Sequence, residues 1–348
     1  MQQRAATLWY HDHRIDFTGQ SVYRGLAGFH LVWDEQDDAT GLPTGDREIP
    51  LMITDRAFAA DGSQIYPALD PSMLHTPGVQ DDYMFGVLAD VILVNGAPWP
   101  WAEVDAARYR LRVLNASNAR RYQLRLDPPP PTGSPFVQVG SDGGQLRAPV
   151  PHQQLTIAPA ERFEVVVDFG SYPVGTDVTV LNDFGDGRTA QVMQFRVARS
   201  AKDDSRIPES FAPIEDLSAV APAAVRTFRF ARGTVADEQQ GWTINGLPFD
   251  PDRADAAPIL GTVERWRFVT DLHHPVHVHL NPFQVVRRGN RGPGDFDAGW
   301  KDTVDIGPGE VVEVAVRFTD YAGRYLLHCH NLEHEDMMMM MSMFRTRQ

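Results

Sequence analysis

The chain holds a single cysteine, Cys329, in 348 residues. That excludes an intramolecular disulfide and leaves the thiol as a packing residue, a reactive group or a metal ligand. Long hydrophobic runs are also missing. No stretch approaches the roughly 18 to 20 apolar residues that a membrane helix requires, so the reading is of a chain with no membrane helix. The start, MQQRAATLWYHDH, lacks the basic, apolar and small-residue sections of a signal peptide, and nothing in it addresses a compartment. Positive charge is scarce, with 32 Lys and Arg against 46 Asp and Glu and a formal net charge of -14. No Lys/Arg stripe interleaved with aromatics offsets it, which argues against nucleic acid as a partner. Helical periodicity is almost absent.

What the chain does have is strand and turn chemistry. Short runs rich in Val, Ile, Phe and Tyr, such as IPLMITDRAF, ADVILVNG, RYRLRVLNAS and DVTVLND, are broken every ten or so residues by Gly, Pro, Asn or Asp. With 28 Gly and 26 Pro, the pattern predicts an all-β protein of tandem Greek-key β-sandwiches. Two sandwich-sized stretches are expected, 41–200 and 222–348, separated by an acidic, Pro- and Ala-rich linker at 201–221. Residues 1–40 fit neither. They read as two strands and a turn, too little to enclose a core, and so as the end of a domain the chain does not contain. The proline-rich DPPPPTGSPF, residues 127–136, reads as a rigid surface turn rather than as a ligand for an aromatic groove.

Histidines cluster around the cysteine. In a strand, residues two apart share a face and adjacent residues face opposite ways. His328 and His330 therefore point one way and Cys329 the other. In HHPVHVHL, His277 and His279 share a face, while His274 falls opposite, with Pro275 interrupting the alternation. His11 and His13 form a third pair. Separately, Cys329, His274 and His334, followed by methionines, make a soft donor set. Two imidazoles, a thiolate and a weak thioether describe a blue-copper site, and paired imidazoles with open positions suit a copper cluster. Zinc also takes His and Cys, but one cysteine, a methionine tail and three paired-His strands fit copper better.

At these motifs the chain resembles the three-domain multicopper oxidases, which carry HPxHxH and HCHxxxH followed by Met; here HPVHVH stands at 274–279 and HCHNLEH at 328–334. The resemblance extends through LWYHDH, GLAGF, NGAPWPW, RVLNAS, GSDGGQL, APAERFEVVVDF and GWKDTV, and is strongest to the bacterial spore-coat laccase and bilirubin oxidase branch. It implies cupredoxin domains, with 1–40 the end of a first, 41–200 a second without copper ligands and 222–348 a third carrying the type 1 copper. It further implies His274, Cys329 and His334 as type 1 ligands with Met339 axial, and His277 as a type 2 ligand. His11, His13, His279, His328 and His330 would be type 3 ligands. Glu335 matches an acid that relays protons to bound oxygen, or else acts as a hydrogen-bond acceptor behind a ligand. Met337, Met338, Met340 and Met341 read as packing residues. Members of the family are often secreted, periplasmic or spore-coat proteins, which leaves the compartment of this chain unassigned.

The implied activity is laccase-like. A small aromatic substrate gives up one electron at a time, HCH carries it from Cys329 to the flanking histidines over about 10 Å, and dioxygen is reduced to water. The family's oxygen-reducing cluster uses eight imidazoles from four His-x-His pairs, and this chain shows three pairs. The absent HxHG has no substitute among His30, His75, His152 and His273. A fragment or late start, a naturally short protein, or a gap covered by a neighbouring chain in a homo-oligomer would each account for this. The alternative function is a type 1 copper electron-transfer or copper-binding protein without oxygen reduction. A scaffold that kept the sandwich and lost redox function is a third, disfavoured by the intact motifs.

Overall fold

The Val- and Phe-rich runs form strands because β-branched and aromatic side chains fit a pleated, half-buried surface, and the Gly, Pro, Asn and Asp between them close the turns. The computed structural model describes residues 3–69, 81–234, 240–336 and 339–348. His75, Met337 and Met338 lie outside the described residues. The fold is all-β and cupredoxin-like, with only short helices, and among the described residues no helix is long and apolar enough to cross a membrane.

Two compact units divide the chain. The first comprises residues up to Tyr10, Ala27–Ile65 and Leu88–Ile214. Its larger sheet runs in the order Gly144–His152, Phe136–Ser141, Arg162–Asp168, Arg108–Asn115, Glu48–Phe58, Val91–Val94 and Ala97–Pro98. The second sheet runs Leu155–Ile157, Tyr122–Asp127, Asp177–Asn182, Gln191–Ser200 and Trp101–Ala106. Each sheet contains one parallel pair, Glu48–Phe58 with Arg108–Asn115 and Gln191–Ser200 with Trp101–Ala106, among antiparallel neighbours. DPPPPTGSPF is an exposed loop between two of these strands.

This unit buries charge as well as apolar surface. Arg110 and Arg112 sit on one face of Arg108–Asn115 and are fully buried. Arg110 makes a forked pair with Asp37 at 2.8 and 3.0 Å and also contacts Glu164; Arg112 reaches Glu164 at 2.6 Å and contacts Glu48. Thr7 joins by donating to Glu164 at 2.7 Å, and Arg162 donates to the Thr7 carbonyl at 3.0 Å. Buried charges of this kind persist only when their hydrogen bonds are met, and here the partners come from four separate stretches of chain. Gly144 has a positive φ of 109°, and a Cβ there would lie 2.3 Å from the Ala5 carbonyl oxygen. The last glycine of GSDGGQL is thus required by the close approach of the N-terminal strand.

The second unit comprises His11–Leu26, Tyr66–Val87 and Glu215–Gln348. One sheet runs Gln240–Ile244, Ala224–Thr234, Val263–Thr270, Val311–Arg317 and Phe283–Arg288. The other runs Ala254–Ala256, Met341–Thr346, Gly323–Cys329, His274–Val278 and Thr303–Ile306. An aromatic core fills this unit, with Trp266 against Phe228 at 4.8 Å and against Phe318 and Phe344 at 5.2 Å.

Residues 1–35 hold the two expected strands, Ala6–His11 and Ala27–Val32, but also a helix, Thr18–Tyr23, that the sequence does not announce. TGQSVY has neither an apolar stripe nor a capping residue of its own. Its first amides are met by a carboxylate more than 300 residues away: Asp336 accepts from Thr18 N–H at 3.0 Å and from Gly19 N–H at 2.7 Å.

Candidate metal centre

The strands His274–Val278 and Gly323–Cys329 pair antiparallel with Val276 opposite Cys329 and His277 opposite His328. Directly opposite residues share a face, so this register sends His277 and His328 one way and Cys329 the other. His274, two residues from Val276, joins the cysteine. Its Nδ1 lies 3.4 Å from Cys329 Sγ, His334 Nδ1 lies 3.5 Å from the same sulfur, and the two Nδ1 atoms are 3.2 Å apart. All three side chains are buried.

This triad fits a soft cation. Burial pushes the Cys329 thiol above its ordinary range, against a 3.4 Å hydrogen bond from Asn331 N–H. Burial likewise pushes His334 well below the ordinary imidazole range, with His274 adding to the effect. Neutral imidazoles have lone pairs to give, and a bound cation deprotonates the thiol. His274 Nε2 faces Asp271 Oδ1 at 3.0 Å, which keeps the proton on that nitrogen and turns the Nδ1 lone pair toward the sulfur.

On the opposite face six imidazoles gather. His13 Nε2 and His279 Nε2 lie 3.3 and 3.1 Å from His328 Nε2, and these three residues form a second candidate metal-binding group. His11 lies 5.4 Å from His13 and 5.1 Å from His330 between ring centroids; His277 lies 4.9 Å from His279 and 5.9 Å from His330. Outward nitrogens meet oxygen acceptors: His11 Nδ1 the Asp12 carbonyl at 2.8 Å, His277 Nδ1 the Asp302 carbonyl at 2.9 Å, and His328 Nδ1 the Cys329 carbonyl at 3.0 Å, with Glu335 Oε2 3.1 Å from the same nitrogen. In each, the Nε2 lone pair is left for a metal. Burial lowers His11 to about 4 and takes His279 and His330 well below their usual range, so these three are neutral near pH 7, whereas at His328 burial is outweighed by Glu335, which raises it.

Glu335 is buried, with Oε1 3.5 Å from His13 Nδ1 and Oε2 against His328. Burial opposes its ionisation, but the field of His328 and its hydrogen bond win and hold the carboxyl at about 2. Glu335, Asp336 and His13 line one end of a cavity of about 270 Å³ whose walls include Ile15, Leu326 and Met339.

Gly323–Cys329 pairs with Met341–Thr346 with Leu326 opposite Met343 and His328 opposite Met341. Met339, Met341 and Met343 all line the cavity beside His13 and Glu335. Met339 and Met340 precede this strand, and Met339 has a positive φ of 58°, so strand alternation does not assign their side chains. Met340 is fully buried; its carbonyl accepts from Cys329 N–H and its N–H donates to the His334 carbonyl, both at 3.1 Å.

Three further residues, to which the sequence reading gave no role, bear on the site. Trp242 lies over His334 with ring centroids 3.9 Å apart. Asn331 places its Nδ2 3.1 Å from His334 Nε2, and Asp336 anchors the helix that follows His13.

With this geometry in place, comparison with known proteins is direct. The multicopper oxidase family model matches residues 219–348. A laccase of Bacillus stratosphericus is 38% identical over 98% of this chain and 71% of its own length; a laccase of Bacillus subtilis (strain 168) is 36% identical with the same coverage. The crystal structure of the McoA multicopper oxidase from the hyperthermophile Aquifex aeolicus superposes with a TM-score of 0.86 at 31% identity, covering 99% of this chain and 76% of that one. The chain belongs to the multicopper oxidase family. It is a laccase-like, copper-dependent oxidoreductase.

Proposed function

We propose that this chain couples one-electron oxidation of phenolic or other aromatic donors to the reduction of dioxygen to water. His274, Cys329 and His334 take the type 1 copper, with Met340 as the fourth, weak ligand in place of Met339. His277 takes the type 2 copper, and His11, His13, His279, His328 and His330 the type 3 pair. In this reading each unit is a cupredoxin domain, one built mainly on 41–200 and the other on 222–348, with 201–221 between them.

One observation carries the proposal. Cys329 faces the triad while its chain neighbours His328 and His330 face the imidazole group, so three consecutive residues connect two metal-binding constellations. Copper in such soft and imidazole sets supplies one-electron redox chemistry and activation of dioxygen. The protein's own part is to hold the donors oriented and to place the ionised Glu335 carboxylate beside His328 and His13, where it can take up and pass on a proton.

Copper loading tests this. The loaded protein is expected to turn intensely blue and to consume oxygen with hydroquinone. A colourless loaded protein overturns it. A blue protein with about one firmly held copper and no oxygen uptake supports the alternative, an electron-transfer protein, which the grouping of six rather than eight imidazoles among the described residues favours.

A further inference from the structure

The triad histidines are closed to a substrate. His274 and His334 are 0% and 2% exposed. Trp242, itself 0% exposed, lies over His334 with ring centroids 3.9 Å apart and a tilt of 31°, and meets His274 edge-on at 5.3 Å. Phe85 then meets Trp242 edge-on at 6.0 Å and is 57% exposed. Among the described residues these rings form a continuous aromatic line from the surface to the triad.

The arrangement is held by the site's own residues. Trp242 Nε1 donates to the Met84 carbonyl at 2.8 Å, and Asn331 Nδ2 donates to the Phe85 carbonyl at 3.1 Å. Glu333 accepts from Val87 N–H at 2.9 Å. Residues 84–87 are thereby fastened by Trp242 and by the two neighbours of Leu332 in HCHNLEH. The Arg232 guanidinium lies 5.6 Å from the Phe85 ring centroid, a cation near the exposed end of the line.

We propose that Phe85 and Trp242 form the contact through which an aromatic electron donor reaches the triad, the donor ring stacking on Phe85. The inference rests on the copper reading of the triad. A phenol docked there gives up one electron and releases its O–H proton to water, leaving a phenoxyl radical. The electron would pass by way of Trp242 and His334 to the copper that His274, Cys329 and His334 would hold. Arg232 favours the ionised, more readily oxidised phenolate beside it.

The test compares wild type with Phe85→Ala, Trp242→Leu and Trp242→Phe, using hydroquinone as donor. Calorimetry on the protein before copper loading reads donor binding. The position of the blue band reads the copper site, and anaerobic bleaching of that band reads electron delivery. Phe85→Ala is expected to keep the blue band and to weaken hydroquinone binding roughly three- to tenfold, the size of one aromatic contact. Trp242→Leu is expected to keep donor binding and slow bleaching about tenfold at saturating hydroquinone, a barrier change of about 1.4 kcal/mol, with Trp242→Phe restoring most of the rate. Wild-type binding and bleaching in Phe85→Ala would overturn the proposal, as would wild-type bleaching in Trp242→Leu. If Trp242→Leu fails to fold, Phe85→Ala decides. A wild-type protein that stays colourless on loading overturns the copper reading instead, and the calorimetric comparison then decides the aromatic site alone.

Discussion

Cys329 N–H donates to the Met340 carbonyl at 3.1 Å, one step beyond the register that pairs His328 with Met341. Met340 is thereby tied to the thiol's backbone, while Met339, with a positive φ of 58°, lines the cavity beside His13 and Glu335. Met340→Leu is expected to shift the blue absorbance and the electron paramagnetic resonance of copper-loaded protein, because the weak axial donor tunes such a site. Met339→Leu is expected to leave both unchanged. The reverse result would restore Met339 to the axial position.

Cys329→Ser replaces a soft donor with a hard one in a fully buried position. The expected outcome is loss of the blue band with little change in circular dichroism, since the side chains differ by one atom. A blue Cys329→Ser protein would remove the thiol from the proposed ligand set.

Glu335→Gln keeps an oxygen to accept from His328 and removes the charge and the proton-holding capacity. Oxygen uptake is expected to fall by about 100-fold, within the usual range for a positioned acid or base, while the blue band stays. Unchanged uptake at every pH would reduce Glu335 to an orienting partner for His328.

Asp336→Ala removes the acceptor for Thr18 and Gly19 N–H. Two buried amides lose their partner, a loss of about 1–3 kcal/mol each if nothing replaces it. The helix Thr18–Tyr23 is expected to fray, and tryptic cleavage after the exposed Arg14 to accelerate. Equal cleavage rates in variant and wild type would show that the segment is held by other contacts.

Asp37 provides a pH prediction. Burial alone would raise its pKa, but hydrogen bonds and charge from Arg110, with Arg112 and Gln145, hold it below the usual carboxylate value. A lowered folded pKa means that the unfolded chain takes up the proton first on acidification. The stabilisation is complete above about pH 4 and is lost as pH falls through the lower folded value. Denaturant midpoints should therefore drop as pH falls below about 4. Asp37→Asn is expected to flatten that drop and to destabilise by about 3 kcal/mol at pH 7, because Arg110 keeps a buried charge with less compensation. An equally steep drop in the variant would assign the acid sensitivity elsewhere.

Much of the fold was legible in the sequence because its strands are short, apolar and bounded by turn residues; RYRLRVLNAS and DVTVLND lie on Arg108–Asn115 and Asp177–Asn182. The separation of Cys329 from His328 and His330 was legible for the same reason, since strand alternation is local. Contacts that depend on distant chain were not. The helix Thr18–Tyr23 owes its first hydrogen bonds to Asp336, and Trp242 sits in GWTING with nothing nearby to link it to His334. Within five consecutive methionines no local signal can set the parity. The hydrogen bonds of Cys329 and His334 to the Met340 backbone single out that residue as the one tied to the triad's own chain.

The single turn Leu332–Asp336 holds four successive attachments: Glu333 to Tyr66 and Val87, His334 to the triad, Glu335 to His328, and Asp336 to Thr18 and Gly19. Successive helical positions differ by about 100° in direction, so deleting or inserting one residue here would swing every attachment into its neighbour's place. The spacing of HCHNLEHED is thus a mechanical constraint on the gene: substitutions can accumulate along this turn one partner at a time, whereas a change in its length would undo the cover, both metal constellations and the N-terminal helix in a single event.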